Sequence, residues 1–324
     1  MGFFRRLSIL IMINRIRPQV MLTVFLLLAN REITAQAVTD TTSAPAVAVR
    51  FNAERAMNDL VKQVEFGPRL PESPGIRSTR HLITETLSTA GWQVETQDFR
   101  AYSPMLAAEV PGQNIFAIYP KQTTPTLIIS AHYDTRPFAD RDPDPARRED
   151  PVPGANDAGS GVAVLLELGR ILPQAGTTRS VGFVFFDLED HGTPADENGF
   201  CLGSRYFASN LPAQIQQFQQ GINLDMVATP NIKLAMEGNS VGKAPQLTYD
   251  LWKVGTTFHP DAWTMDRGPA IYDDHMPFLD TGKKYVDVID LQYPPWHTTQ
   301  DLPENCSTQS LEKVGDTILR FINH

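Results

Sequence analysis

Acidic and imidazole side chains follow the apolar runs of this sequence. The sharpest instance is SVGFVFFDLEDH at 180–191, where an apolar, β-branched and aromatic run ends in Glu189 and Asp190. A strand that is apolar nearly throughout is usually buried on both faces of an α/β sheet, and such sheets bind ligands at the carboxyl ends of their strands. Adjacent side chains point in different directions, so one carboxylate can bind a metal while the other moves protons.

The same pattern recurs farther along the chain. His132 follows a predicted strand, and Asp225 closes the Asn-Leu-Asp end of another. Asp157 precedes a predicted helix, and His297 follows the last predicted strand. Oxygen and imidazole ligands without thiolate are typical of a catalytic zinc ion that keeps an open coordination position. These residues therefore predict a metal site, and capping of the helix is a compatible second role for Asp157.

Strands and helices alternate over residues 51–324 without an internal repeat. This alternation predicts a single α/β domain with a mixed, mostly parallel central sheet flanked by helices. The segment 135–153 is dense in Asp, Arg and Pro. We expect it to form a solvated flap over the strand ends rather than regular structure.

The first 37 residues differ in character from the rest. Arginines precede the apolar run VMLTVFLLLA at 20–29, and Ala35-Gln36-Ala37 offers the small residues that a signal peptidase accepts. This pattern predicts export to the periplasm or the medium, with 38–50 as a flexible lead into the domain. The run is short for a membrane span, but the apolar segment at 7–13 leaves an uncleaved N-terminal anchor as the alternative.

Composition narrows the possible partners. The 324 residues are 42% hydrophobic and 20% charged, as in an ordinary globular protein. The net charge of -9 argues against a nucleic-acid partner, because nucleic-acid-binding proteins usually carry basic faces. We expect a monomer that meets a membrane only through its N-terminal segment. Cys201 and Cys306 form no CxxC motif, so one disulfide and two free thiols are both open.

Several short motifs resemble the zinc aminopeptidase-like family of exopeptidases and glutaminyl cyclases. The match in order and approximate spacing extends from Phe66-Gly67-Pro68-Arg69 to the final helix. The motifs are His132-x-Asp134, Gly154-Ala155-Asn156-Asp157, Glu189-Asp190, Asn223-Leu224-Asp225 and Trp296-His297-Thr298. The resemblance implies the fold of that family, with Glu189 as general base. In its dizinc aminopeptidases the matching metal ligands are Asp157, Asp190, His132, Asp225 and His297.

Glutaminyl cyclases are the more similar branch. They bind one zinc ion through the positions that match Asp157, Asp190 and His297. The similarity rests on Trp296 directly before His297 and on the run DDHMPF at 273–278. It implies that the chain converts the N-terminal glutamine of peptides and proteins to pyroglutamate and releases ammonia.

The resemblance also implies roles for individual residues. Glu189 would shuttle the proton, Asp274, hydrogen-bonded to Asp225, would hold the leaving amide nitrogen, and Trp296 would form an apolar wall for the glutamine side chain. The sequence departs from the family in two places. Animal cyclases usually carry Glu at the position of Asp190, and the loop after it has Phe200 but no match for a second pocket tryptophan.

Two other functions compete with cyclisation. A dizinc aminopeptidase would hydrolyse N-terminal residues with a metal-bound hydroxide, and every ligand position that it requires is filled here. A binding module that keeps the fold without catalysis would be expected to lack ligands, and none is missing. The sequence therefore favours an enzyme with one zinc ion, or with two if it is an aminopeptidase.

Overall fold

The computed structural model describes residues 49–120, 123–175, 177 and 179–323. The predicted export signal at 1–37 and most of the predicted lead at 38–50 lie outside these residues. Among the described residues, no helix is long and apolar enough to cross a membrane.

A mixed sheet of six strands forms the centre of the part that the structure describes. In chain order its strands are β1 (Gln93–Ser103), β2 (Ala108–Tyr119), β3 (Leu127–His132), β4 (Val181–Phe186), β5 (Gln220–Asp225) and β8 (Lys284–Ile289). Two further strands, β6 (Leu234–Met236) and β7 (Trp263–Arg267), form a separate small sheet. The spatial order is β1-β2-β4-β3-β5-β8. β1 and β2 join antiparallel at one edge, whereas β4, β3, β5 and β8 run parallel to one another.

Helices cover this sheet. They are α1 (Ala53–Glu65), α2 (Pro74–Thr89), α3 (Gly159–Ala175), α4 (Leu202–Ser209), α5 (Gly238–Lys243), α6 (Pro245–Phe258), α7 (Met276–Asp280) and α8 (Thr308–Ile322). Every residue of β3 and β4 is buried, as expected for strands covered on both faces. α3 packs against β3 and contacts α1, α2 and α8, so it forms the centre of the helical layer. The predicted α/β domain with a mixed, mostly parallel sheet is confirmed.

The segment 135–153 departs from the expected solvated flap. Its regular structure is a single 3-10 turn, Pro145–Arg147, but its first half is packed into the protein. Arg136 and Asp142 are only 2% and 3% exposed. Asp142 accepts hydrogen bonds from the backbone N–H and hydroxyl of Thr299, at 2.9 and 2.6 Å. Thr299 satisfies the buried charge of Asp142, and Asp140 and Asp190 accept hydrogen bonds from Arg136, so the first half of the segment forms part of the wall around the strand ends.

Candidate active site

The parallel strands deliver the predicted site residues to one edge of the sheet. His132 is the last residue of β3, and Asp225 is the last residue of β5. Glu189 and Asp190 follow the end of β4, and the turn between them and the strand contains Leu188 in the left-handed region, with φ of 58°. A left-handed non-glycine residue is uncommon and is held by its surroundings, so this turn sets where the two carboxylates point.

Two loops complete the cluster. Asp157 lies two residues before α3, and His297 lies in the loop after β8 with φ of 59°. Asp157 lies between the two histidines: its oxygens are 3.0 Å from His132 Nε2 and 3.6 Å from His297 Nε2. The structure thereby brings the five predicted ligands into two groups that share Asp157. The first group is His132, Asp157 and Asp225, and the second is Asp157, Asp190 and His297.

The spacing within these groups suits zinc. His132 Nε2 lies 3.5 Å from Asp225 Oδ1, and His297 Nε2 lies 3.2 Å from Asp190 Oδ2. Nitrogen and oxygen ligands of tetrahedral zinc, each about 2.0 Å from the metal, lie about 3.3 Å from one another. Both groups therefore have the dimensions of a zinc site.

Unpaired buried atoms point to the same conclusion. Within the described residues, several buried side-chain atoms of the cluster make no hydrogen bond of acceptable geometry: both ring nitrogens of His132, Nδ1 of His297, Oδ2 of Asp190 and Oδ1 of Asp225. Buried polar atoms are normally paired, and a metal ion would satisfy those that face the ligand groups: His132 Nε2, Asp190 Oδ2 and Asp225 Oδ1. The two Nδ1 atoms face other carboxylates, Asp134 at 3.4 Å and Asp140 at 3.7 Å. The donor set and its unpaired atoms therefore fit zinc.

The neighbouring carboxylates of Glu189 and Asp190 have pKa values shifted in opposite directions. Burial disfavours the ionised form of Asp190, but His297 and Arg136 outweigh burial and lower its pKa. Burial raises the pKa of Glu189 well above its ordinary value, and the negative charge of Asp190 adds to this increase although His132 opposes it. Asp190 is thus suited to bind a cation and Glu189 to exchange a proton.

Two aspartates to which sequence reasoning assigned no role hold the site in place. Asp134 accepts hydrogen bonds from the backbone N–H groups of Glu189 and Asp190, at 3.0 and 3.2 Å. Asp301 accepts them from Asn156 and Asp157, at 2.8 and 3.1 Å. Both carboxylates are fully buried. The sequence feature that could have revealed both aspartates is their closeness to a predicted ligand. Asp134 follows His132 by two residues, and Asp301 follows His297 by four.

A cavity of about 580 Å³ opens onto this edge of the sheet. Its wall includes the predicted residues Glu189 and Trp296 together with four of the predicted ligands: Asp157, Asp190, Asp225 and His297. His132 is 1% exposed and is not part of the cavity wall. The group that contains Asp190 and His297 is therefore the one that a bound molecule reaches most directly.

The structure places Asp273, rather than the predicted Asp274, on the cavity wall. Asp273 lines the cavity, whereas Asp274 does not and is fully buried. The expected hydrogen bond between Asp274 and Asp225 is absent from the described residues. Successive residues of the turn before α7 point in different directions, so only one of the two carboxylates can face the cavity. Burial and then the charge of Asp225 raise the pKa of Asp273 to about 6.

Aromatic and arginine side chains form the outer wall. The Trp296 ring is 4.3 Å from the His297 ring, and the guanidinium carbon of Arg141 lies 3.8 Å from the Trp296 ring centre. Phe200 lines the cavity from the loop after Asp190, where the sequence offered no match for a second pocket tryptophan. Neither Arg141 nor Phe200 was predicted as a site residue.

The cysteines are free thiols. Cys201 is buried and Cys306 is half-buried, and they form no disulfide. The sequence left open one disulfide or two free thiols, and the structure has two free thiols.

The family model of Peptidase family M28 matches residues 114–322, more than half of the chain. The chain belongs to peptidase family M28. Two curated relatives show the range of this family. The glutaminyl-peptide cyclotransferase of Gloydius blomhoffii is 25% identical in an alignment of 292 residues that covers 78% of this M28 chain and 76% of the relative. Aminopeptidase YwaD of Bacillus subtilis is 29% identical in an alignment of 225 residues that covers 64% of this chain but only 43% of that protein's length.

Solved structures show the same two kinds of M28 relative. The glutaminyl cyclase of Porphyromonas gingivalis superposes with a TM-score of 0.81 at 32% identity and covers 85% of this chain and 98% of its own. A Zn-dependent exopeptidase from Parabacteroides distasonis superposes with a TM-score of 0.81 at 29% identity, and the superposition covers 86% of this chain and 99% of the exopeptidase chain. The fold is thus shared over nearly the whole length of these neighbours and over 85% and 86% of this chain. Both the family and the ligand groups imply zinc.

Arg136 is a residue of this M28 site that sequence reasoning missed. Its Nη1 donates to Asp190 Oδ1 at 2.6 Å, and its Nε and Nη2 donate to the two oxygens of Asp140, both at 2.8 Å. The carboxylate of Asp190 is therefore held on one oxygen by Arg136, which leaves Oδ2 for the metal. Partners of metal ligands are often as important as the ligands themselves.

Replacing Arg136 by methionine is expected to weaken zinc binding by roughly 10- to 100-fold, the usual cost of losing a partner of a ligand. Zinc affinity measured by competition with a chelating dye tests this expectation. Arg170→Met is the matched control, because Arg170 pairs with Asp59 at 2.5 Å and has no part in the ligand groups. Equal zinc affinity in the two variants would show that Arg136 does not orient Asp190.

Proposed function

We propose that this chain is a glutaminyl-peptide cyclotransferase, which converts the N-terminal glutamine of peptides to pyroglutamate and releases ammonia. The observation that carries the proposal is the composition of the cavity wall. Trp296 lies against the ligand His297, while Glu189 and Asp273 supply carboxylates that are not needed to hold the zinc group. The similarity to a bacterial glutaminyl cyclase, which covers 85% of this chain and 98% of that protein, supports the same reaction.

Asp157, Asp190 and His297 would hold the zinc ion. A zinc ion bound there would supply Lewis acidity to the side-chain carbonyl of the substrate glutamine. The substrate's α-amine then attacks the side-chain amide carbon. One C–N bond forms in the five-membered ring, and the bond from that carbon to the amide nitrogen breaks. Both reacting groups belong to the same residue, so ring closure needs no enzyme nucleophile.

Glu189 moves the proton in this scheme. It accepts a proton from the attacking amine and returns it to the departing nitrogen, which leaves as ammonia. The raised pKa of Glu189 suits both steps, because a carboxylate with a pKa closer to neutrality both accepts and returns a proton more readily.

Asp273 takes the role that the sequence assigned to Asp274. Its carboxylate lines the cavity and is coupled electrostatically to Asp225. We assign to these two carboxylates the hydrogen bonds that hold the N–H groups of the leaving amide. This arrangement orients the amide while Trp296 packs against the methylene groups of the glutamine.

Substrate preference tests the proposal. Peptides that differ only in their first residue, glutamine or leucine, are incubated separately with the zinc-loaded protein, and loss of the starting peptide is followed by mass spectrometry. We expect the glutamine peptide alone to be consumed. Faster consumption of the leucine peptide would favour an aminopeptidase and contradict cyclisation.

Replacing Trp296 by alanine is expected to raise KM for a glutamine peptide by roughly 10- to 100-fold, with a smaller change in kcat. Loss of the apolar contact of one large side chain costs about 1.5–3 kcal/mol, and 1.4 kcal/mol corresponds to tenfold. Steady-state kinetics measure this effect, and Trp296→Phe should retain most of the affinity. An unchanged KM in Trp296→Ala would remove Trp296 from the substrate-binding wall.

A dizinc aminopeptidase is the second candidate function. The observation in its favour is the second complete ligand group, His132, Asp157 and Asp225. Metal counting separates the two possibilities: after dialysis, one tightly bound zinc ion per chain is expected for the cyclase and two for the aminopeptidase.

We further propose that the protein is exported and acts on peptide N-termini outside the cytoplasm as a monomer. The support is the basic and apolar pattern of residues 1–37 and the Ala35-Gln36-Ala37 site. N-terminal sequencing of the mature protein tests cleavage after Ala37. An intact N-terminus in the membrane fraction would instead support the anchor.

A further inference from the structure

A third group of possible metal ligands lies beside the two zinc groups. Glu189, Cys201 and Asp273 each offer one ligand atom, and these atoms all lie within 4.8 Å of one another. We propose that these three residues form a separate site for a borderline-soft divalent cation such as Zn²⁺ or Cd²⁺, and that a cation bound there inhibits the enzyme. Cyclisation as proposed above leaves Cys201 without a role.

The dimensions of the group suit such a cation. The Cys201 thiol donates a hydrogen bond to Glu189 Oε1, and its Sγ lies 3.4 Å from that oxygen. A tetrahedral zinc ion with a sulfur ligand at about 2.3 Å and an oxygen ligand at about 2.0 Å places these two atoms about 3.5 Å apart. The thiol and the carboxylate are therefore already at the separation that coordination requires.

Asp273 provides an independent indication of a ligand. It is only 3% exposed, and its Oδ2 makes no hydrogen bond within the described residues. A buried carboxylate oxygen without a partner is costly, and a cation at the centre of the group would supply the missing interaction. Because Asp273 and Glu189 line the cavity, a cation can reach the group from solvent.

The backbone holds the thiol in position. The Cys201 N–H donates to the Glu189 carbonyl at 2.8 Å, and Cys201 has a left-handed φ of 58°. Cys201 is fully buried immediately before α4. The sulfur thus lies beside Glu189 before any cation arrives, so little rearrangement is needed to form the site.

The ligand set determines which cations bind. One thiolate with two carboxylates favours Zn²⁺ or Cd²⁺ over Mg²⁺, which prefers oxygen ligands alone. Binding releases the thiol proton to solvent, since the thiolate is the ligand. A cation on Glu189 then removes the carboxylate that accepts the substrate's proton. This inhibition rests on the proposed function, whereas binding of the cation does not.

Cadmium titration of the zinc-loaded protein tests the site. The ultraviolet charge-transfer absorption of a cadmium thiolate reports binding to cysteine, and elemental analysis counts the added metal. We expect the absorption in the wild type and in Cys306→Ala, and its loss in Cys201→Ala and Cys201→Ser. Cys306 is the matched control, because it is half-buried and lies outside the group. The serine variant keeps the size and polarity of the side chain if the alanine variant does not fold.

Turnover of a glutamine peptide provides the second measurement. The cadmium concentration for half-inhibition should rise at least about tenfold in Cys201→Ser, because loss of a group that supports metal binding usually costs that much affinity. Mg²⁺ should not inhibit the wild type. Absence of the absorption in the wild type, or its persistence without Cys201, would overturn the site. Equal half-inhibition in wild type and Cys201→Ser would overturn its inhibitory role. If no glutamine peptide is consumed, the proposed function fails, and the absorption still decides whether the site exists.

Discussion

Replacing Glu189 by glutamine is expected to lower kcat for a glutamine peptide by roughly 10²- to 10⁴-fold, the usual contribution of a general acid–base group. The amide keeps the size of the side chain but cannot accept the amine proton. Zinc content should be unchanged, because the ligand of the pair is the neighbouring Asp190, whose carboxylate Arg136 orients at 2.6 Å. Initial rates and metal analysis of the same preparation measure both effects.

Glu197→Gln is the matched control for this substitution. Glu197 also lines the cavity but is exposed, and it belongs to none of the ligand groups. Its activity should stay within about twofold of the wild type, as is usual for surface substitutions of small energetic effect. If Glu189→Gln loses zinc while Glu197→Gln keeps it, the assignment of base and ligand within the pair Glu189 and Asp190 is wrong.

Replacing Asp157 by alanine is expected to remove zinc and activity together. Asp157 is the residue that both ligand groups share, with one oxygen 3.0 Å from His132 and the other 3.6 Å from His297. The loss of affinity should exceed the roughly 10- to 100-fold typical of partners that only support a ligand. Zinc content after dialysis and the rate of peptide consumption are the measurements.

Asp59→Asn separates this effect from the general cost of changing a buried aspartate. Asp59 is 1% exposed and pairs with Arg170 on the helical layer, outside both ligand groups. We expect this variant to lose some thermal stability and to retain its zinc. Zinc retention in Asp157→Ala would contradict the ligand assignment and would leave Asp157 with a purely structural role before α3.

The sequence predicted the fold and the edge of the sheet at which the candidate residues meet, because one physical rule covers both. Apolar runs that end in acids or histidines predict buried parallel strands, and such strands deliver their ends to a single edge. His132 and Asp225 follow this rule, and the structure groups them with Asp157. Glu189 follows it too and lines the same cavity as Asp157. The alternation of strands and helices was sufficient for the fold class.

The misses arise where no such rule exists. Arg136 contacts Asp190, which is 54 residues away, and a loop sequence does not reveal so distant a partner. The choice between Asp273 and Asp274 depends on which way a short turn points, and a turn has no periodicity from which to infer it. The closeness of Cys201 to Glu189 likewise results from how the loop after β4 returns to the strand end.

The products formed from a glutamine-initiated peptide test the central claim most directly. The zinc-loaded protein is incubated with the peptide, and ammonia, free glutamine and the peptide mass are measured together. The proposed function predicts one ammonia per peptide consumed and a product that keeps every residue with its first residue closed to pyroglutamate. Release of free glutamine with a peptide shortened by one residue would contradict it and identify an aminopeptidase.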